Sequence, residues 1–276
     1  MLRELVEFFT TPCPAYVRNM GYLMDAIAIA ARHRRCSANW AGHLDHSKEA
    51  VRQAIAGCGQ RRKAVVLGSG FLLDLPLEEL SAAFQEVVLV DIVHLRPVRR
   101  RVRAFSNVRL VSCDITGIAE KLYANKKAGW LELPEPHAYF PDVDEGADLV
   151  ISLNVLTQVS VIPEEYVTRK LKWKDSSTLE AWEDRIMARH YEALARLACF
   201  ACLITDYEAV YRDRDGGEIG RSYLLGSLRL PKAEKEWIWD IAPLGEESRK
   251  YSVQRKSGAF YLRQWNSPGN NSSQKL

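Results

Sequence analysis

Several features are missing from this 276-residue chain, and each absence removes a class of answer. No apolar run is long enough to span a bilayer, so a membrane protein is not expected. The opening stretch Met1-Leu-Arg-Glu-Leu-Val-Glu-Phe-Phe scatters acidic residues among apolar ones and lacks the continuous apolar core of a secretion signal. Neither sign of charge is in excess. Basic side chains number 38 against 35 acidic, and the resulting +3 makes no general electrostatic case for a nucleic-acid or membrane-surface partner. Six cysteines without an export signal suit a reducing compartment and mostly buried thiols, so the cytoplasm is the expected location. No internal repeat is visible.

What is present begins with helical periodicity from Arg3 to about Cys58. Leu5, Phe8 and Phe9 mark one segment, and Tyr22, Leu23, Ala26, Ile27 and Ala30 mark the next, with Pro12 and Pro14 between them. A third helix is expected over 47–56, with Ser47 as its cap and Gly57 as its stop. Residues 1–59 therefore read as a helical extension that covers a pocket or makes a homodimer interface.

The texture changes at Arg61-Arg-Lys-Ala-Val-Val-Leu-Gly-Ser-Gly, an apolar run closed by glycines that reads as a buried parallel strand. A helix over 75–84 leads to the strand Glu86-Val-Val-Leu-Val-Asp91, and a second over 94–105 leads to Asn107-Val-Arg-Leu-Val-Ser-Cys-Asp114. A helix over 115–124 and a Pro-rich loop over 126–146 precede the strand Ala147-Asp-Leu-Val-Ile-Ser-Leu-Asn154. A helix over 177–197 then delivers the fifth strand, 198–206. This alternation predicts an α/β fold with a mostly parallel sheet. Segments 236–241 and 258–265 alternate as a closing antiparallel pair, and the Ser, Asn, Gly and Pro tail over 266–276 is expected to be disordered.

Five β/α units followed by an antiparallel pair resemble the Rossmann-like class I S-adenosylmethionine-dependent methyltransferases over 60–265. Val65-Val-Leu-Gly-Ser-Gly-Phe resembles the family's glycine turn, in which Gly68, Ser69 and Gly70 let the backbone approach the cofactor. Asp91 ends the second strand, where a carboxylate accepts hydrogen bonds from ribose hydroxyls, with Ile92 beside it. Asp114 ends the third strand, where the family often places an acid by the adenine amino group, and Ile115 would pack on the ring. Ser152-Leu-Asn-Val-Leu-Thr-Gln158 resembles the segment beneath the cofactor's methionine portion, with Asn154 as the contact. Val66 stands where the family usually has an acid, which makes Asp74 the substitute partner for the cofactor's amino group. Leu72 stands at the usual third glycine and implies a stiffer loop.

The resemblance implies S-adenosylmethionine as cofactor and a small-molecule methyl acceptor, covered by the N-terminal helices and the 126–146 loop. Methyl transfer demands alignment more than acid–base chemistry. Should the acceptor need deprotonation, the candidates are His137, Tyr139, Asp206 and Tyr207. Three competitors remain: aminocarboxypropyl transfer from the same cofactor, as in nicotianamine synthase-like proteins; a nicotinamide oxidoreductase, whose third fingerprint glycine is Leu73 here; and a Rossmann-like binding or assembly subunit without catalysis.

Four patterns are given plain readings. His33, Cys36, His43 and His46 carry zinc-binding chemistry, but Arg32, Arg34 and Arg35 surround them, and a solvated helix end without metal is expected. Cys199 and Cys202 point to opposite faces of a strand and read as core. Arg96, Arg99, Arg100 and Arg103 read as a solvated helix face rather than a nucleic-acid site. Trp237, Trp239 and Trp265 read as a buried terminal hairpin.

Overall fold

A computed structural model describes residues 2–129 and 132–262. The expected disordered tail and Trp265 lie outside the described residues. The chain builds one eight-stranded sheet in the order β3-β2-β1-β4-β5-β8-β7, with β6 paired to β5. Strands β1 (Lys63–Leu67), β2 (Glu86–Asp91), β3 (Val108–Ser112), β4 (Leu149–Leu153) and the first half of β5 (Phe200–Arg212) run parallel. β6 (Glu218–Tyr223) and β8 (Ser252–Tyr261) lie antiparallel to β5, and β7 (Lys235–Ala242) lies antiparallel to β8. This is the mostly parallel α/β sheet with an antiparallel C-terminal edge expected from the sequence.

The central strands are apolar throughout because both their faces are covered. Val65 and Leu67 point into one core with Val88, Val150, Trp182 and Leu203, while Ala64 and Val66 point into the other with Leu89, Ile151, Cys202 and Trp237. Cys199 packs against the first core and Cys202 lies in the second, so the opposite-face reading holds.

The helices are α1 (Leu2–Thr10), α2 (Ala15–Met20), α3 (Tyr22–Arg35), α4 (Ser37–Gly57), α5 (Leu77–Ala83), α6 (Arg96–Val102), α7 (Ala119–Ala128), α8 (Val161–Tyr166) and α9 (Ser176–Ala195). Helix α4 corrects the sequence reading, since Ser47 is fully buried mid-helix and caps nothing. Its inward stripe, Trp40, His43, Ser47, Ala50, Val51 and Ala54, continues upstream through polar residue types that hide the period. Ala50, Val51, Ala54 and Ile55 pack into the core behind β1, so this helix belongs to the sheet's own wrapping.

Helix α7 starts four residues later than expected, because the Asp114 carboxylate accepts from Thr116 N (2.9 Å) and Ala119 N (2.8 Å) and holds the intervening chain as a turn. It ends on Gly129 at φ 76°. Helix α8, a π-helical turn at Val167–Leu171 and strand β6 escaped the sequence reading. Among the described residues, no helix is long and apolar enough to cross a membrane.

Helix α9 carries the strongest single anchor. Trp182 is fully buried and donates from Nε1 to Pro134 O at 2.8 Å, pinning the Pro-rich segment against the sheet. Trp182→Ala is expected to cost about 3–5 kcal/mol through the cavity and the orphaned carbonyl. Urea unfolding is the check, and a variant as stable as the parent protein would contradict this packing account.

Candidate functional site

The order in which the parallel strands are laid down reverses at β1, which has β2 on one side and β4 on the other. Ligands of such sheets bind beyond the carboxyl ends of the strands at that point. A cavity of about 410 Å³ lies there, with α3 and α4 contributing to its lining. Its floor is the glycine turn. Gly68 (φ 76°), Gly70 (φ 48°) and Leu72 (φ 61°) are all left-handed, so leucine adopts the conformation that a third glycine would make freely. A Cβ on Gly70 would meet nothing nearer than Gly68 O at 4.0 Å, so the space beside it is open. The Ser69 side chain is fully buried and lies outside the lining, leaving its backbone as the usable part.

Asp91 Oδ2 accepts from Gly70 N at 2.8 Å and thereby holds the turn. It does not cap α6, which begins five residues later and has no side-chain cap. Ile92, Asp114 and Ile115 line the same region. At the end of β4, Asn154 (φ 49°) donates from Nδ2 to Asp74 Oδ2 at 2.7 Å, while its Oδ1 is buried without a partner. Asp74 is half-buried at the cavity wall, and desolvation raises its pKa. The expected cofactor contacts Gly68, Gly70, Asp74, Asp91, Ile92, Asp114, Ile115 and Asn154 are thus brought together around one cavity.

The acid–base candidates are not. Among the four, only Asp206 lines the cavity. It is buried, accepts from Thr157 Oγ1 at 2.5 Å, and lies 3.4 Å from Arg255 Nη1. Tyr207 is turned away, donating its hydroxyl to Glu236 beneath the Lys256 ammonium. His137 and Tyr139 are exposed, and their backbone N–H groups bond to Thr116 O and Ile115 O. The 126–146 segment contributes no lining residue among those described; it packs toward α9 instead, since Pro134 O is taken by Trp182. The N-terminal helices do contribute, through Tyr22, Asp25, Arg32, Trp40 and His43.

Sequence reasoning missed the residues of that wall. His43 was grouped with His33, Cys36 and His46 as a solvated helix end, but Cys36 and His43 are both buried. Among the described residues, no group of three His, Cys, Asp or Glu side chains is placed to hold a metal. His43 stacks on Trp239 at 3.9 Å with the rings 10° apart, and its Nδ1 accepts from Trp237 Nε1 at 3.0 Å. An indole N–H only donates, so the Nδ1 lone pair is engaged and the imidazole hydrogen resides on Nε2, which faces the Asn154 Nδ2 at 3.3 Å, a second donor that cannot accept it. Burial pushes His43 down to about 3. This imidazole is therefore held neutral and is not a base. Trp239 lines the cavity and is not merely hairpin core. Arg96, Arg100 and Arg103 are exposed on α6 or at its end, and Arg99 bonds to His94 O, as a solvated face requires.

His43 and the fully buried His190, which is pushed down to about 4, set an acid limit. Both have folded pKa values below the ordinary 6.5, so the unfolded chain binds more protons. Their contribution is whole above pH 6.5 and is lost as pH falls toward about 4, amounting to several kcal/mol between them. The urea midpoint is expected to drop between about pH 7 and about pH 5, and an unchanged midpoint would contradict the neutral assignment.

No family model matches the chain, and no curated protein does. Among solved structures, it is similar to the N-methyltransferase NodS from Bradyrhizobium japonicum WM9 in complex with S-adenosyl-L-homocysteine, with 12% identity, 78% of this chain and 86% of that chain covered, and a TM-score of 0.34. It is similar to the Burkholderia thailandensis 1,6-didemethyltoxoflavin-N1-methyltransferase with bound 1,6-didemethyltoxoflavin and S-adenosylhomocysteine, with 13% identity, coverages of 85% and 89%, and a TM-score of 0.32. A third is the DhpI complex with SAH, with 14% identity, coverages of 84% and 94%, and a TM-score of 0.34.

Proposed function

We propose that the protein is an S-adenosylmethionine-dependent methyltransferase acting on a small molecule enclosed beneath α3 and α4. The observation that carries this is the charge of the cavity. Asp25, Asp74, Asp91 and Asp114 line it, whereas its two guanidiniums are already engaged, Arg32 with Glu247 at 3.0 Å and Arg35 with Glu246 at 2.5 Å, and a fifth lining acid, Asp206, is matched by Arg255 at 3.4 Å. Such a lining suits a ligand bearing sulfonium and ammonium charges and repels the pyrophosphate of a nicotinamide dinucleotide.

The residues fit the group. Asp91 would take the ribose hydroxyls, Asp114 the adenine amino group between Ile92 and Ile115, and Asp74 the ammonium in place of the acid absent at Val66. The orphaned Asn154 Oδ1 offers one more acceptor at the methionine end. When bound, the cofactor supplies an already activated methyl electrophile. The chain's own part is to bind, align and exclude water, with Trp40, His43 and Trp239 walling the far end.

Calorimetric titration with S-adenosylmethionine, S-adenosylhomocysteine and NADH tests the reading. Saturable binding of both sulfur nucleosides and none of NADH is expected. A folded protein that binds neither sulfur nucleoside would sink it, in favour of an oxidoreductase if NADH binds and of an assembly subunit if nothing does. In turnover, S-adenosylhomocysteine as product supports methyl transfer, and methylthioadenosine would instead identify aminocarboxypropyl transfer.

A further inference from the structure

The assignments above give a residue to the ribose, to the adenine amino group and to the ammonium, and none to the positively charged sulfur. They also leave one lining acid without a role. Asp25 is in the first turn of α3, on the side that carries Tyr22, Ile29 and Arg32, and all four line the cavity. Steps of three, four and three residues follow one face of a helix. The other face, Leu23 and Ile27, packs with Phe71, the residue after Gly70, so α3 is seated beside the glycine turn.

The protein itself makes no use of this carboxylate. Asp25 is half-buried, and among the described residues no hydrogen bond or salt bridge reaches its side chain. It does not cap α3, whose N-cap is Gly21. Arg32 acts on it through space, but that guanidinium lies 3.6 Å from Glu246 and 3.0 Å from Glu247. The other groups acting on it are acids. Burial first, then Glu165 on α8 and Asp91, raise its pKa.

Those two acids also locate it. Asp91 ends β2, α8 follows β4, and β1 with its glycine turn lies between the two strands. Asp25 therefore faces the cavity between the ribose position proposed at Asp91 and the methionine position proposed at Asn154, the two parts of the cofactor that its sulfur joins. A carboxylate enclosed without a partner is costly, and a bound cation removes that cost.

We infer that Asp25 is the counter-charge for the cofactor's sulfonium, and that through it the site tells S-adenosylmethionine from S-adenosylhomocysteine by charge. The inference deepens the methyltransferase reading and rests on it for the identity of the cation. The two nucleosides share their ribose, adenine, ammonium and carboxylate, and S-adenosylhomocysteine is neutral at sulfur. A carboxylate facing the sulfur therefore strengthens binding of the first alone, and the spent cofactor is held less firmly.

The test is calorimetric titration of both nucleosides into the parent protein and into Asp25→Asn, which keeps the side chain's shape and removes its charge. The readout is the ratio of the two affinities. Asp25→Asn is expected to weaken S-adenosylmethionine by about tenfold and to leave S-adenosylhomocysteine unchanged. That retained affinity also reports that the variant is folded. A ratio that the substitution leaves unmoved, whether both affinities fall alike or neither changes, or a ratio that moves toward S-adenosylmethionine, would overturn the inference and leave the cofactor reading intact. A parent protein that binds neither nucleoside would overturn both.

Discussion

Replacing Asp91 by alanine is expected to weaken S-adenosylmethionine binding by about a hundredfold or more, since two charge-assisted hydrogen bonds to a ribose contribute about 1.5–3 kcal/mol each. A second loss adds to this, because Asp91 Oδ2 is the acceptor for Gly70 N at 2.8 Å and the glycine turn loses its tether. Asp91→Asn separates the two effects. It keeps the shape and one oxygen to hold Gly70, so its affinity loss should be smaller, about tenfold. Calorimetry on both variants, with circular dichroism to confirm the fold, is the measurement. An alanine variant that binds as tightly as the parent protein would remove Asp91 from the site and take the ribose placement with it.

The glycine turn should respond very differently at its two ends. At Gly68 (φ 76°), a Cβ would lie 2.6 Å from Val155 Cβ and 2.9 Å from Leu153 O, and the second of these is backbone that has nowhere to go. Left-handed strain of about 1–2 kcal/mol and overpacking of about 1–3 kcal/mol then add, and Gly68→Ala is expected to destabilise by about 2–5 kcal/mol. At Gly70 the nearest atom to a Cβ is 4.0 Å away, so Gly70→Ala carries the strain without the clash. Gly70 lines the cavity, however, and the added methyl group occupies ligand space. Gly68→Ala should therefore lose the more stability, and Gly70→Ala should lose only the strain of about 1–2 kcal/mol together with S-adenosylhomocysteine affinity. A Gly68→Ala protein of full stability would mean that the turn packs more loosely than described.

Much of the β1–β4 side of the cavity was legible in the chain because local rules govern it. A central parallel strand covered on both faces must be a continuous apolar run, and the turn that leaves it needs residues tolerant of positive φ. Val65-Val-Leu-Gly-Ser-Gly satisfies both demands within six residues. Asp91 was legible for the same reason, as the polar residue that closes an apolar strand at the ligand edge. Leu72 shows the limit of such rules. It replaces a residue type associated with the conformation but adopts the conformation anyway, held by burial and by Arg101 donating to its carbonyl at 3.2 Å.

Three of the four acid–base candidates lie away from the cavity, because loop position along the chain says little about direction in space. His137 and Tyr139 precede β4, but their segment is hydrogen-bonded to residues 115 and 116 and drawn toward α9. Tyr207 follows Asp206 by one residue, but the β5–β8 register shifts there, between Asp206 and Glu208, and its hydroxyl is taken by Glu236 on β7.

The sequence by itself determined the α/β alternation, the glycine turn and the row of acids at the strand ends, because each depends on contacts within a strand and the turn after it. Only the tertiary structure decided that His43 and the two tryptophans of β7 form one wall. His43 and Trp237 are 194 residues apart, and neither residue's local pattern encodes the other. Their meeting depends on α4 packing across the sheet and on β7 returning to the parallel direction through two antiparallel pairings. That long-range geometry turns a histidine that reads as solvated into a buried neutral ring stacked on Trp239.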